Sequence, residues 1–210
     1  MVHPGARVTK KETSDHIDII ESCLGAFVRS GTLDLSLDQL ASSVGTSKRM
    51  LVHYFGGREV IEERAMTLLE NRLRSQFAPE KFPTGITASD VLKVLWDRTT
   101  NSESKGVLLL VMDLSRRAWN GSPRAKSFYQ EQQRLWVELL SRYLPDKNMV
   151  EDVLQLFQGA ILAYLITGNP EPGRHTLNRL CARLEVSKTS NRVTKPHQTN
   201  RIHLKKNFNG

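Results

Sequence analysis

The residues of this chain best suited to chemistry stand together at Thr46-Ser47-Lys48-Arg49-Met50-Leu51-Val52-His53-Tyr54-Phe55. Helical spacing turns Leu51 and Phe55 to one side, so Thr46, Ser47, Lys48, Arg49, Met50 and His53 face outward at the start of a short helix. That set suits recognition of base edges and phosphates. Arg49 can bond a guanine edge bidentately, Lys48 can pair with phosphate or guanine, and Met50 can meet a thymine methyl. The free amides of a helix start also favour phosphate. The patterns that carry catalysis are missing: no G-x-S-x-G, H-E-x-x-H, G-x-G-x-x-G or phosphate loop occurs. The histidines, at 3, 16, 53, 175, 197 and 203, have no metal-ligand spacing, and Cys23 and Cys181 fall on apolar helix faces. The sequence therefore predicts neither an enzyme, nor a metal site, nor a cofactor.

The elements that must hold these residues are legible around them. Ile17, Ile20, Leu24, Phe27 and Val28 recur at helical spacing from Ser14 to Ser30, and Gly31 follows as a stop. Ser36 and Gln39 form a capping box that opens a second helix running to about Val44. Gly45 supplies the positive φ of a tight turn, and Thr46 or Ser47 caps a third helix, Lys48 to Phe55, closed by Gly56-Gly57. Leu40, Val44, Leu51 and Phe55 supply a shared core, with Ala41 small where the helices approach. Residues 37–55 thus read as a helix-turn-helix. A fourth helix begins near Arg58, with Val60, Ile61, Ala65, Leu68, Leu69 and Leu73 on one side, and stops before Pro79.

Residues 78–88, with two prolines and a glycine, read as a linker. Further helical patterns follow at about 88–100, 104–119, 123–143, 149–167 and 174–186, the run Val107 to Met112 reading as helix buried all round. The expected fold is all-α, about nine helices: an N-terminal arm (1–12), a three-helix DNA-binding domain (13–57), a connecting helix (58–78), a larger helical domain (88–186) and a disordered basic tail (187–210). A net charge of +8 would suggest nucleic acid, yet Lys and Arg balance Asp and Glu, ten each, over residues 1–75, and the tail holds six cations and no acid. Local pattern, not total charge, carries the DNA reading. The tail's cations can touch phosphate, though a solubilising role is the expected one. No stretch reaches the length of uncharged apolar sequence that a membrane span needs, so a cytoplasmic protein without a membrane partner is expected.

The segment Ile17 through about Leu73 resembles the TetR family of bacterial regulators. The resemblance rests on Leu37…Leu40-Ala41…Val44-Gly45-Thr46-Ser47, then Leu51-Val52-His53-Tyr54-Phe55, then Arg58-Glu59-Val60-Ile61. Val52 stands where the family usually has tyrosine, and Arg49-Met50 where many members carry Gly-Thr. The resemblance implies that Ser36, Ser47, His53, Tyr54 and Arg58 hold phosphates of double-stranded DNA while Lys48, Arg49 and Met50 address bases. It implies too that the later helices receive a small-molecule effector and dimerise. The aromatic-rich stretch then supplies the effector candidates Trp96, Met112, Trp119, Phe128 and Trp136, although most aromatics at helical spacing are core. Arg116 and Arg117 can attract an anionic effector or simply end a solvated helix. Phe157, Gly159, Ala160, Ala163 and Tyr164, with Leu177, Leu180 and Leu184, form apolar stripes that would make a four-helix bundle with a second copy. The expected function is a homodimeric repressor released from a palindromic operator by an effector. The alternative is a helix-turn-helix regulator governed by a protein partner or by abundance.

Overall fold

Local start and stop signals set most helix boundaries. Ser36 Oγ accepts from the Gln39 amide at 3.2 Å while the Gln39 side chain accepts from the Ser36 amide. Ser47 and Thr87 cap in the same way at 3.2 Å, Ser122 does so ahead of Pro123 at 3.3 Å, and Asp146 accepts from Met149 at 2.9 Å. Each satisfies an amide that the first helical turn leaves without a partner.

The computed structural model describes residues 10–144 and 146–193, with the backbone alone at 10–16, 79 and 185–193. Nine α-helices lie within the described residues: α1 Lys10–Ser30, α2 Leu37–Ser43, α3 Lys48–Phe55, α4 Arg58–Gln76, α5 Ala88–Thr100, α6 Ser104–Trp119, α7 Pro123–Leu140, α8 Lys147–Thr167 and α9 Glu171–Val193. No strand occurs among them, and the fold is all-α as the sequence predicts. Helix α9 runs on to Val193, beyond residue 186 where the sequence reading ends it. The rest of the expected tail, 194–210, and residues 1–9 of the expected arm lie outside the described residues.

One core joins Cys23, Leu24 and Phe27 of α1 and Leu40 and Leu51 of α2 and α3 to Ile61, Ala65 and Leu69 of α4. It continues without a break into Leu110 and Leu114 of α6 and Phe128 of α7. A second set gathers α5, α7, α8 and α9 around Trp96, Leu139, Phe157 and Leu177. The helix-turn-helix is therefore joined to the later helices through α1, which packs on α6, and α4, which packs on α7, with no apolar break between them. The expected linker is itself anchored, because Phe82 is buried against Val91, Leu95 and Trp96.

Three apolar expectations are corrected. Ile17 faces outward, 57% exposed, because the stripe that packs on α4 begins at Ile20. Val60 likewise turns outward, one position off the buried row of α4. The run Val107 to Met112 is not buried all round: Leu110 enters the core, but Leu109 and Met112 are exposed, since the side of α6 that carries Met112 fronts a chamber rather than a neighbouring helix. Helix α8 is long and apolar enough, by length and composition alone, to cross a membrane, and only 22% of its most apolar window is buried.

Candidate functional site

The turn between α2 and α3 is closed by the Thr46 amide donating to the Ala41 carbonyl at 3.0 Å, and Gly45 sits at φ +70°. A side chain there would have room but a disfavoured backbone, so glycine is required for conformation and not for space. Leu40, Ala41, Leu51 and Phe55 are buried beneath the turn, and Arg64 lies over the Phe55 ring at 5.4 Å. The opposite side of α3 is bare. Ser47, Lys48, Arg49, Met50, Val52 and His53 are all exposed, and Thr46 is half-buried. Arg49 makes no hydrogen bond or ion pair among the described residues.

The other predicted contacts are less free. Lys48 Nζ reaches Asp38 Oδ2 at 2.9 Å, an exposed pair worth at most ~1 kcal/mol that a phosphate can displace. The Ser36 and Ser47 hydroxyls accept from backbone amides as caps and keep their own protons to donate. His53 packs beside Tyr54 with ring centres 5.4 Å apart. Arg58 is turned into the protein: its Nη1 donates to the Leu33 carbonyl at 3.2 Å and lies 2.5 Å from Glu62 Oε1, off the hydrogen-bonding direction. Burial pushes the Glu62 carboxyl above its ordinary value despite Arg58 and Arg117 nearby.

Below the helix-turn-helix a charged cluster fastens the loop before α2 to the end of α6. Asp113, buried, accepts from the Leu33 amide and the Thr32 hydroxyl at 3.1 Å each, from Arg116 at 2.6 Å and from Arg117 at 3.1 Å. Asp34 receives Arg116 at 3.0 Å and Arg117 at 2.5 Å from the other side. Burial raises the Asp113 carboxyl, but the donors from Leu33, Arg116, Thr32 and Arg117 outweigh it and hold the group below its ordinary value. Arg116, still exposed at the helix end, and the more covered Arg117 are thus paired within this joint, and neither lines the chamber.

A chamber of about 450 Å³ opens between α4, α5, α6, α7 and α8. Met112, Phe128 and Trp136 line it; Trp96 and Trp119 do not. Trp96 is locked in the core between Phe157 and Gly173, where even a methyl on the glycine would meet the indole at 2.3 Å. Trp119 is 90% exposed at the end of α6. Sequence reasoning missed the contributions of α4 and α8, among them Phe77, Gln158 and Leu162, and the rim residue Arg98. The available signal was glutamine on otherwise apolar helix faces: Gln132 is buried, and its amide nitrogen has no partner.

Of the expected interface residues, Phe157, Tyr164, Leu177 and Leu184 are buried within the single chain, and the Tyr164 hydroxyl donates to the Thr100 carbonyl at 3.2 Å. Ala160 and Leu180 are half-buried, and Gly159 and Ala163 are exposed. Leu162 and Ile166, which the sequence reading passed over, are exposed on the same helix, at 44% and 76%.

A capped helix-turn-helix joined to a helical domain with its own chamber defines a two-part, all-α architecture. Solved structures share it. The chain superposes on a protein described as a TetR-family transcriptional regulator from Rhodococcus sp. (TM-score 0.62, 17% identity, 81% of this chain and 98% of that one). It also superposes on a TetR-family transcriptional regulator from Cytophaga hutchinsonii (TM-score 0.64, 16% identity, 86% and 97%), and on a TetR transcriptional regulator from Rhodococcus sp. RHA1 (TM-score 0.54, 14% identity, 84% and 98%). No protein-family model and no curated protein matches the chain. The chain has the fold of TetR-family regulators.

Proposed function

We propose that the chain is a sequence-specific DNA-binding transcriptional regulator: a cytoplasmic homodimeric repressor that leaves a palindromic operator when a small molecule fills the chamber. The observation that carries the DNA reading is the bare outer side of α3, where Arg49 has no partner among the described residues and Met50 and Val52 leave apolar surface in water. A short helix braced from behind, with a free guanidinium beside exposed apolar groups, offers a bidentate donor for guanine and a surface for thymine methyls in the major groove. Ser36, Thr46, Ser47, Lys48, His53 and Tyr54 flank it as phosphate or base contacts, and Ser36 and Ser47 mark helix starts that favour phosphate.

The effector reading is supported by the chamber and by its connection to the helix-turn-helix. Helix α6 lines the chamber along Val107, Val111 and Met112, and four residues beyond Leu109 it carries Asp113, which grips the loop leading into α2. A ligand that moves α6 therefore moves the mounting of α3, so ligand and DNA oppose one another reciprocally. The dimer reading is supported by α8, whose exposed Gly159, Leu162, Ala163 and Ile166 form an apolar strip that none of the described residues covers. Selection of bound duplexes from a random pool tests the proposal: a palindromic site with half-sites about one or more helical turns apart is expected. Failure to enrich any sequence would refute it.

A further inference from the structure

We infer that the chamber takes an amphipathic anion, a molecule with an apolar body and a single carboxylate or comparable acidic head, and that Arg98 receives the head. The inference deepens the effector reading and rests on it only for the consequence on DNA, not for binding itself. The chamber volume of about 450 Å³ lies within the ~300–1,000 Å³ of pockets that bury small organic ligands. Its walls are chiefly aliphatic and aromatic, with Phe77, Phe128 and Trp136 as broad surfaces for the body.

Charge decides the head. Among the described residues Arg98 is the one charged residue lining the chamber, and no Asp or Glu shares it. A cation buried there would find no counter-charge and would face a guanidinium, whereas an anion would find one. Arg98 is also unlike most described arginines, such as Arg58, Arg72, Arg124 and Arg174, which lie against carboxylates. Among the described residues its guanidinium makes a long 3.4 Å bond to the Lys81 carbonyl and lies on the face of Phe82 at 5.0 Å, contacts that hold it in place and leave donors to spare. Beyond it a second recess, between α1 and α4, is bordered by Arg98 together with Lys81 and Arg72. Arg72 is paired with Glu21, so the cations that this side leaves to a ligand are Arg98 and Lys81. Gln132 adds a further polar group on the wall, its buried amide nitrogen lacking an acceptor. A carboxylate presents the planar acceptor pair that matches a guanidinium fork, which makes it a better head than a hydroxyl of the same size.

The test compares three probes with one body and different heads: decanoate, decanol and decylamine. Each is titrated into the full chain without DNA, and binding is read by calorimetry and by the change in tryptophan emission in a Trp119→Phe background, where Trp136 on the chamber wall and the core Trp96 are the emitters. Decanoate should bind at least about tenfold more tightly than decanol, and decylamine most weakly. Arg98→Gln should remove the preference for decanoate while leaving decanol affinity within about twofold, and Arg98→Lys should restore part of it. Equal binding of the three heads, tighter binding of decylamine, or an Arg98→Gln protein that keeps its carboxylate preference would overturn the inference, as would no binding of any probe. The DNA complex is assayed separately. Decanoate that binds through Arg98 yet leaves the operator complex intact upholds the ligand class and sinks the effector reading.

Discussion

Asp113, near the end of α6, accepts a hydrogen bond at 3.1 Å from the backbone amide of Leu33, eighty residues earlier in the loop that leads into α2. The pairing ties a carboxylate in the chamber's own helix to the backbone that mounts the helix-turn-helix. It is reinforced by Thr32, Arg116 and Arg117, so the Asp113 carboxylate has several donors around its two oxygens. Glu62, its neighbour across the cluster, is in the opposite condition, buried with an oxygen that lacks a well-directed partner. Two carboxylates within one ionic cluster thus carry opposite energetic signs.

Substitution separates them. Asp113→Asn should destabilise the fold by ~2–4 kcal/mol near neutral pH, because it leaves Arg116 and Arg117 facing a neutral amide. Glu62→Gln should cost little. The Asp113 carboxyl titrates below its ordinary value when folded, so its contribution is present above the unfolded value of ~3.9 and is lost as pH falls through the folded one. The difference between wild type and Asp113→Asn should therefore shrink as urea unfolding is repeated from pH 6 down to pH 3. Glu62 titrates above its ordinary value, so the penalty of ionising it is present at neutral pH and disappears on acidification. An Asp113→Asn protein as stable as wild type at pH 7 would remove the joint from the account.

The second prediction concerns the other half of that joint. Gly106 in α6 lies so close to α1 that a methyl group would stand 2.4 Å from the Val28 carbonyl oxygen. Alanine ordinarily strengthens a helix by ~1 kcal/mol over glycine, but here the obstacle is backbone and cannot rotate away. Gly106→Ala should lose ~1–3 kcal/mol net, as overpacked cores do, with α1 and α6 pushed apart. Chemical denaturation measures the loss, and a gain in stability would show that the two helices separate freely.

How far the sequence foretold this structure follows from the range over which each feature is determined. The caps at Ser36, Ser47 and Ser122 and the turn at Gly45 are decided within four residues, so they could be read directly, and α3, α5 and α6 have the boundaries the pattern predicts. The chamber is decided by five helices at once. An apolar residue facing a void has the same spacing as one facing a neighbour, which is why Trp96 and Trp136 could not be separated by pattern. The same degeneracy hid the face of α8: Phe157 and Ala163 are equally apolar in sequence, yet one is core and the other is exposed. Arg116 and Arg117 read as a solvated end or an anion site because, although Asp113 stands three and four residues before them, their other partner, Asp34, lies more than eighty residues away.

At the α3 surface, Arg49→Ala should reduce affinity for the selected site and relax preference at one base pair by ~1–3 kcal/mol. Arg58→Ala should act differently. Its guanidinium is held by the Leu33 carbonyl and Glu62, so the loss should register first in unfolding, by ~1 kcal/mol, with DNA affinity reduced alike for all sequences. Anisotropy titrations on the site and its single-base variants, beside denaturation curves, check both. Uniform weakening by Arg49→Ala would end its role as a base reader.

The last prediction distinguishes the two sides of α8 and so tests the dimer. Ala163 is exposed beside Leu162 and Ile166, whereas Ala160, one turn earlier and rotated, packs toward α9, its methyl only 3.2 Å from where a side chain on Gly173 would begin. An arginine at 163 meets nothing in a single chain but would place an unpaired charge in an apolar contact between copies. An arginine at 160, a half-buried position against α9, would be crowded even in the monomer. Ala163→Arg should therefore yield a monomer in sedimentation at micromolar concentration with its helical circular dichroism and unfolding midpoint for the isolated chain preserved, and it should weaken binding to a two-half-site operator far more than to a single half-site. Ala160→Arg should instead lower stability, and any dissociation should follow that loss. A wild-type protein that sediments as a monomer, or an Ala163→Arg protein that remains a dimer, would place the interface elsewhere than on the Gly159, Leu162, Ala163 and Ile166 strip.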